Sequence, residues 1–217
     1  MYDELVAFLP HFIYIIQGIG VTLQYSLISV FFGMMIGTSL AICKTADNSF
    51  LRLFAVSYTS IFRGTPMLVQ LMIIYFGLPG LIGVKLSVFV SGVITFSLNS
   101  GAYVSEIIKA GINNVDKGQI EAAKALGISP GLRMKDIILP QAVRKILPAL
   151  VNEFINLIKE SALISFIGGM DLMRRAQVVS AETYDYFTPM LTAAASYYFM
   201  VMIVSSFAKL LEKKLAL

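Results

Sequence analysis

The sequence predicts an all-α integral membrane protein of about five transmembrane helices, and three observations carry that prediction. Of its 217 residues, 57% are hydrophobic and only 14% charged, with a mean hydropathy of +0.79. A soluble domain carries about a quarter charged residues. Apolar runs of roughly 20 residues recur along the chain, each long enough for about 30 Å of hydrocarbon. The runs are continuous and do not alternate with period two, which argues against a transmembrane barrel.

Five spans are expected, in order. The first covers about Phe12 to Cys43, too long for a perpendicular crossing and therefore tilted or extended beyond the bilayer. The second covers about Leu53 to Phe76 and is stopped by Gly77, Pro79 and Gly80. The third covers about Leu86 to Ile108, the fourth about Ala142 to Ile167, and the fifth about Pro189 to Leu211. The first span is expected to be retained rather than cleaved, because Asp3 and Glu4 stand where a signal peptide has a basic leader. Gly33 and Gly37 in GMMIG let another helix approach closely, as in ordinary intramembrane packing.

Cys43 and His11 are each the only residue of their kind. No internal disulfide, thiol metal site or metal cluster is expected, and His11 reads as a boundary histidine. The formal charge of +4 is modest, and no basic, aromatic-interleaved patch suggests a nucleic-acid partner.

The distribution of charge predicts orientation. One set of loops holds Lys44, Arg52, Arg63, Lys109, Lys117, Lys124, Arg133, Lys135, Arg144, Lys145, Lys209, Lys213 and Lys214. The other holds Lys85, Arg174 and Arg175. Lysine and arginine accumulate on the cytoplasmic side. The N-terminus is thus expected outside and the C-terminus inside, within a single domain, residues 1–217. A cytoplasmic loop covers about residues 109–141 and an outer loop about 168–188. The outer loop is long and amphipathic, with Asp171, Arg174, Arg175, Glu182 and Asp185. It is large enough to receive an external protein; a bare solvated loop fits equally.

The cytoplasmic loop contains a charged, helix-favouring segment, EAAKALGISPGLRMKDIILP (Glu121 to Pro140). Asp116 reads as an N-cap with Gln119 three positions on, a capping-box arrangement. IEAAKAL then favours helix at nearly every position. Gly127 suits the left-handed position that closes it, and Ser129-Pro130 restarts a short turn. Pro140 and Pro148 bend the chain back into the fourth span. Ile120, Ala123 and Leu126 form a narrow apolar stripe. By physical chemistry alone, that stripe suits lipid headgroups and a protein groove about equally.

Glu121-Ala-Ala, Gly127 and Ile137-Ile-Leu-Pro140, with nine residues after the glycine, resemble the EAA signature of membrane subunits of ATP-binding cassette (ABC) importers. RGTPMLVQ (Arg63 to Gln70), AYVSEIIKAG (Ala102 to Gly111), GQIEAAKALG (Gly118 to Gly127) and NEFINLIKESALISFIG (Asn152 to Gly168) resemble the polar amino acid permease branch. The resemblance covers nearly the whole chain. It implies a type I importer permease fold in a prokaryotic inner membrane, with the EAA helix as a coupling helix seated in a cytoplasmic ATPase. Glu121, Ala122, Ala123, Leu126 and Gly127 are assigned to that contact. The chain has no G-x-x-x-x-G-K-[ST] loop, so ATP and Mg belong to a partner ATPase dimer and no cofactor to this chain. The other implied partners are a second permease copy, identical or related, an external amino-acid-binding protein, an amino acid substrate and membrane lipid.

Ionisable groups inside a membrane are costly and mark functional candidates. Asn152, Glu153, Asn156, Lys159 and Glu160 fall within an arc of roughly 120° on the fourth span, and Thr95, Asn99, Tyr103 and Glu106 within roughly 80° on the third. Gly101 is a potential interruption of the latter. The bland alternative is mutual satisfaction, with Lys159 paired to Glu160 or Glu106, or snorkelling. Glu153 has no basic residue within a turn, and a buried carboxylate without a cation protonates or awaits one. Glu153 is therefore expected to accept the cationic side chain of arginine, lysine or histidine, assisted by Asn99, Asn156, Thr95 and Asn152. Related permeases have glutamine there, suiting an uncharged substrate, so glutamine or glutamate uptake is the alternative. An ion-coupled secondary carrier using Glu106, Glu153 and Glu160 is the competing class, but no inverted repeat is visible. A membrane enzyme lacks a nucleophile–base pair or ligand cluster.

Overall fold

A computed structural model describes residues 2–214. Two helices, α1 (Tyr2–Ile16) and α2 (Gly18–Thr45), meet at Gln17, and the apolar stretch Phe8–Thr45 runs through both. The long first span is thus two helical pieces. Next come α3 (Ser49–Gly64), α4 (Met67–Met72), a π-helical turn (Ile73–Gly77) and α5 (Leu78–Ile82). The third span is α6 (Val88–Asn113), uninterrupted at Gly101. The loop holds α7 (Lys117–Ala125); α8 (Pro130–Leu132) and a second π-helical turn (Arg133–Ile138) then lead into α9 (Leu139–Glu160). A 3-10 turn (Ser161–Ile167), α10 (Leu172–Thr183) and α11 (Phe187–Lys214) complete the described chain.

Three of these helices are long and apolar enough to cross a membrane, and the bent pair α3 with α4–α5 makes a fourth. The remaining traverse, α9, fails on composition because it carries Arg144, Lys145, Glu153, Lys159 and Glu160. A helix whose polarity exceeds what lipid tolerates is covered by protein.

The seam between α2 and α6 organises the molecule. A Cβ at Gly33 would stand 2.8 Å from Ser100 Cβ, one at Gly37 2.6 Å from Val104 Cβ, and one at Gly101 2.5 Å from Ile36 Cγ2. In hydrocarbon, apolar burial distinguishes poorly between lipid and protein, so close backbone approach and hydrogen bonds decide which helices associate. The GMMIG glycines serve that packing. Contacts advance in register along both helices, from Tyr25 beside Gly92 to Lys44 beside Glu106, so α2 and α6 run parallel.

Parallel neighbours need a full return between them, and α3 to α5 provide it in two pieces bent by 104°. The expected second span, about Leu53 to Phe76, is therefore two bent pieces. Pro66 forces its predecessor out of the helical region, and Thr65 sits at φ −121°, ψ 145°. The helix therefore stops at Gly64 and restarts at Met67.

Lys44, in the last turn of α2, donates to Glu106 Oε1 (2.5 Å) and Ser105 Oγ (2.8 Å). Glu106 is thus paired across the seam with Lys44, not with Lys159. At the other end of α2, Arg175 donates to Tyr14 O and Gln17 Oε1 (both 3.2 Å), capping the break before Gly18. The outer loop is largely packed. Asp171 is fully buried, caps α10 through Arg174 N (2.9 Å) and accepts from Tyr197 Oη (3.3 Å). Burial pushes its carboxyl up to about 6, against those hydrogen bonds. Only residues 181–187 form an exposed run there, with Tyr184 at φ 55°.

Candidate functional site

The bend between α3 and α4 leaves helix-end carbonyls inside the protein, where water cannot satisfy them. Gln70, one turn into α4, supplies the donors. Its amide nitrogen reaches Phe62 O (2.9 Å), Thr65 O (3.1 Å) and Thr65 Oγ1 (2.8 Å). Asn99 of α6 completes the network by donating to Phe62 O (3.1 Å) and Gln70 Oε1 (3.0 Å). Its amide donors are committed to the corner in this structure, and no hydrogen bond engages its side-chain oxygen among the described residues. Thr95 is likewise fully buried, and its hydroxyl donates back to Ser91 O (2.7 Å). Arg63 lies over the Tyr103 ring at 5.3 Å, just before the bend. RGTPMLVQ is therefore a corner motif: proline breaks the helix and glutamine ties the broken end to α6.

On α9 the predicted polar arc divides. Glu153 is buried, 7% exposed, whereas Asn152, Asn156 and Lys159 are exposed and Glu160 half-buried. The helix runs antiparallel to α6, with Ile146 against Gly111 and Glu153 facing Ser100. Among the described residues Glu153 makes no ion pair, and no hydrogen bond of ordinary geometry reaches it. The Ser100 hydroxyl that faces it is fully buried and unpartnered. Ser100 adjoins Asn99 in sequence, so the broken-helix corner and the unpaired carboxylate occupy neighbouring levels of α6. The geometry can hold a cationic group at Glu153 beside an irregular backbone corner.

The description "Binding-protein-dependent transport system inner membrane component" matches residues 8–217. The chain belongs to this family.

Its relatives agree on the chemistry at a coarser level. The permease is 63% identical over 215 residues to a putative glutamine transport system permease protein GlnP of Rickettsia felis, with 99% of each chain covered. It is 48% identical to the arginine transport system permease protein ArtQ of Bacillus subtilis, covering 96% of this chain and 95% of that one. A crystal structure of an amino acid ABC transporter with histidines superposes at TM-score 0.91 and 42% identity, covering 99% and 98% of the chains. The chain is thus the permease of an ABC amino acid importer with the type I fold, an inner-membrane protein of a non-catalytic subunit family.

The permease's second candidate surface is α7. Asp116 caps it by accepting from Gln119 N (3.1 Å), as expected. Gln119's side chain does not return to the Asp116 backbone; it accepts from Gln141 Nε2 (2.6 Å) and so tethers α7 to α9. Gly127 closes the helix at φ 72°, a conformation a side chain would strain. The apolar stripe is split. Ile120 packs with Val115, Ile138, Ala142 and Ile146, and Ala123 is only 3% exposed, while Leu126 is 79% exposed. Ala123 therefore packs α7 onto its own chain. Glu121, Ala122, Leu126 and Gly127 remain on the exposed side.

Sequence reasoning missed Gln70, Lys44 and Ser100. Thr-Pro inside an apolar run was the available signal for the corner. A lysine in the last turn of a long apolar helix was the signal for the pair with Glu106. Ser100 carried none, because an ordinary serine in a small-residue seam looks like packing.

Proposed function

We propose that the permease imports a cationic amino acid, arginine, lysine or histidine, and that Glu153 accepts its side-chain charge. The observation that carries this reading is a buried carboxylate in a transmembrane helix with no cation paired to it among the described residues. A buried ion of that kind is costly unless paired. Asn156 and Asn152 lie on the exposed face of the same helix and border the path. The ArtQ relative's name agrees with this reading, and the GlnP relatives' names favour the second one, an uncharged amide substrate hydrogen-bonded to the same carboxylate.

The assembly follows from surfaces left open. Asn152, Asn156 and Lys159 are exposed on a traverse, so a second permease copy covers them and encloses the path. The exposed side of α7 seats in a cytoplasmic ATPase dimer that carries ATP and Mg. The excess of lysine and arginine at that end supports a cytoplasmic placement, with the N-terminus outside. The segment 181–187 faces outward, where a binding protein delivers the amino acid.

The deciding experiment is ATPase activity and uptake in proteoliposomes containing permease, ATPase and binding protein, across a panel of amino acids. Stimulation by arginine, lysine or histidine with little by glutamine is expected. The reverse order overturns the cationic reading. For the coupling surface, Ala122→Arg is expected to abolish co-purification with the ATPase while leaving the permease's melting temperature within a degree or two. Retained co-purification would remove α7 from the contact. Ala123→Arg should instead unseat α7, because it forces a charged side chain into a position that is only 3% exposed.

A further inference from the structure

We infer that Ser100 is a positioning residue for substrate discrimination: its hydroxyl holds and orients the Glu153 carboxylate opposite the substrate's charged group. The inference rests on Glu153 being the acceptor, and it adds the group that aims it.

Buried hydroxyls on helices of this permease commonly satisfy themselves by donating to a carbonyl one turn back. Ser26 does so to Thr22 O (2.8 Å), Thr59 to Ala55 O (3.0 Å) and Ser105 to Ala102 O (3.0 Å). Ser100 does not. It is fully buried, has no hydrogen-bond partner, and faces a carboxylate that likewise has none of ordinary geometry. A buried unpartnered donor beside a buried unpartnered acceptor is a pair that a small rotation closes.

The packing around it keeps that place open. Gly33 of α2 lies directly behind Ser100, where a Cβ would meet both Ser100 Cβ and Oγ at 2.8 Å. The glycine leaves room for the serine between α2 and α9. Gly33, Ser100 and Glu153 thus form one layer across α2, α6 and α9. A hydrogen bond to a charged acceptor both strengthens and directs the carboxylate's interaction with an incoming cation. The neighbouring charge on α9 is Glu160, which repels the Glu153 carboxylate and makes a donor on the α6 side the natural anchor.

The test is a double-mutant cycle of Ser100→Ala and Glu153→Gln, read as KM for arginine and for glutamine in proteoliposomes with the ATPase and binding protein. Ser100→Ala deletes one oxygen and fills no space. It should raise KM for arginine about tenfold, raise KM for glutamine by clearly less, and add nothing once Glu153 is glutamine. Ser100→Thr, which keeps the hydroxyl, should restore part of the arginine KM. Equal losses for both amino acids, full additivity with Glu153→Gln, or an unchanged arginine KM each overturns the positioning role. If Glu153→Gln alone leaves arginine preference intact, the acceptor assignment falls and this inference with it. If only Ser100→Ala is silent, the acceptor assignment stands.

Discussion

Glu153→Gln is expected to lower arginine-stimulated transport by at least thirtyfold while leaving the permease as stable as before, or more stable. Truncating one partner of a buried charged pair typically costs about 2–5 kcal/mol of binding, and the substrate's cation is the partner here. Stability should move the other way. The unliganded fold holds a buried carboxylate without a cation, and neutralising it removes a desolvation penalty rather than a bond. The two readouts together are diagnostic: arginine KM or affinity should collapse, and the melting temperature of the purified permease should hold or rise. A fallen melting temperature with proportionate loss for every amino acid would make Glu153 a structural residue. An unchanged arginine-to-glutamine preference would sink the cationic reading outright.

Gln70→Leu should have the largest effect on the fold. It removes the donors to Phe62 O and Thr65 O and leaves the Asn99 amide without its Gln70 acceptor. Each buried polar group so orphaned costs about 1–3 kcal/mol, against a total stability of about 5–15 kcal/mol for an ordinary domain. We expect a melting temperature lowered by many degrees and loss of transport for all amino acids alike. Asn99→Leu should follow in the same direction with a smaller drop, since Gln70 still holds the corner. A variant of either residue that melts like the unaltered permease but loses one substrate selectively would return that residue to the binding site.

Much of the architecture was legible because it depends on local chemistry. Four of the traverses are legible as apolar runs, the ends of α7 in Asp116 and Gly127, and a close helix approach, though not its partner α6, in the glycines four apart. The bend at Gly64 to Met67 was written in Thr65-Pro66 but overshadowed by the apolar run on both sides of it. Helical-arc arithmetic placed Glu153, Asn152 and Asn156 on one face correctly as angles. An angle does not say how wide a neighbouring helix is, and α6 covers Glu153 while leaving the two asparagines open.

The order of residues alone determined the class, the family motifs, the two helix caps of the loop and the candidate carboxylate. These are properties of composition, periodicity and backbone preference, which act within a few residues. Pairing was decided only by tertiary structure. Lys44 takes Glu106 from 62 positions away, Gln70 and Asn99 close the corner across 29, and Ala123 turns inward while Ala122 stays exposed. The physical reason is common to all three. A buried polar or small group is assigned by whichever partner the packing brings within hydrogen-bond reach, and that partner is set by helix register in space, which no single segment encodes.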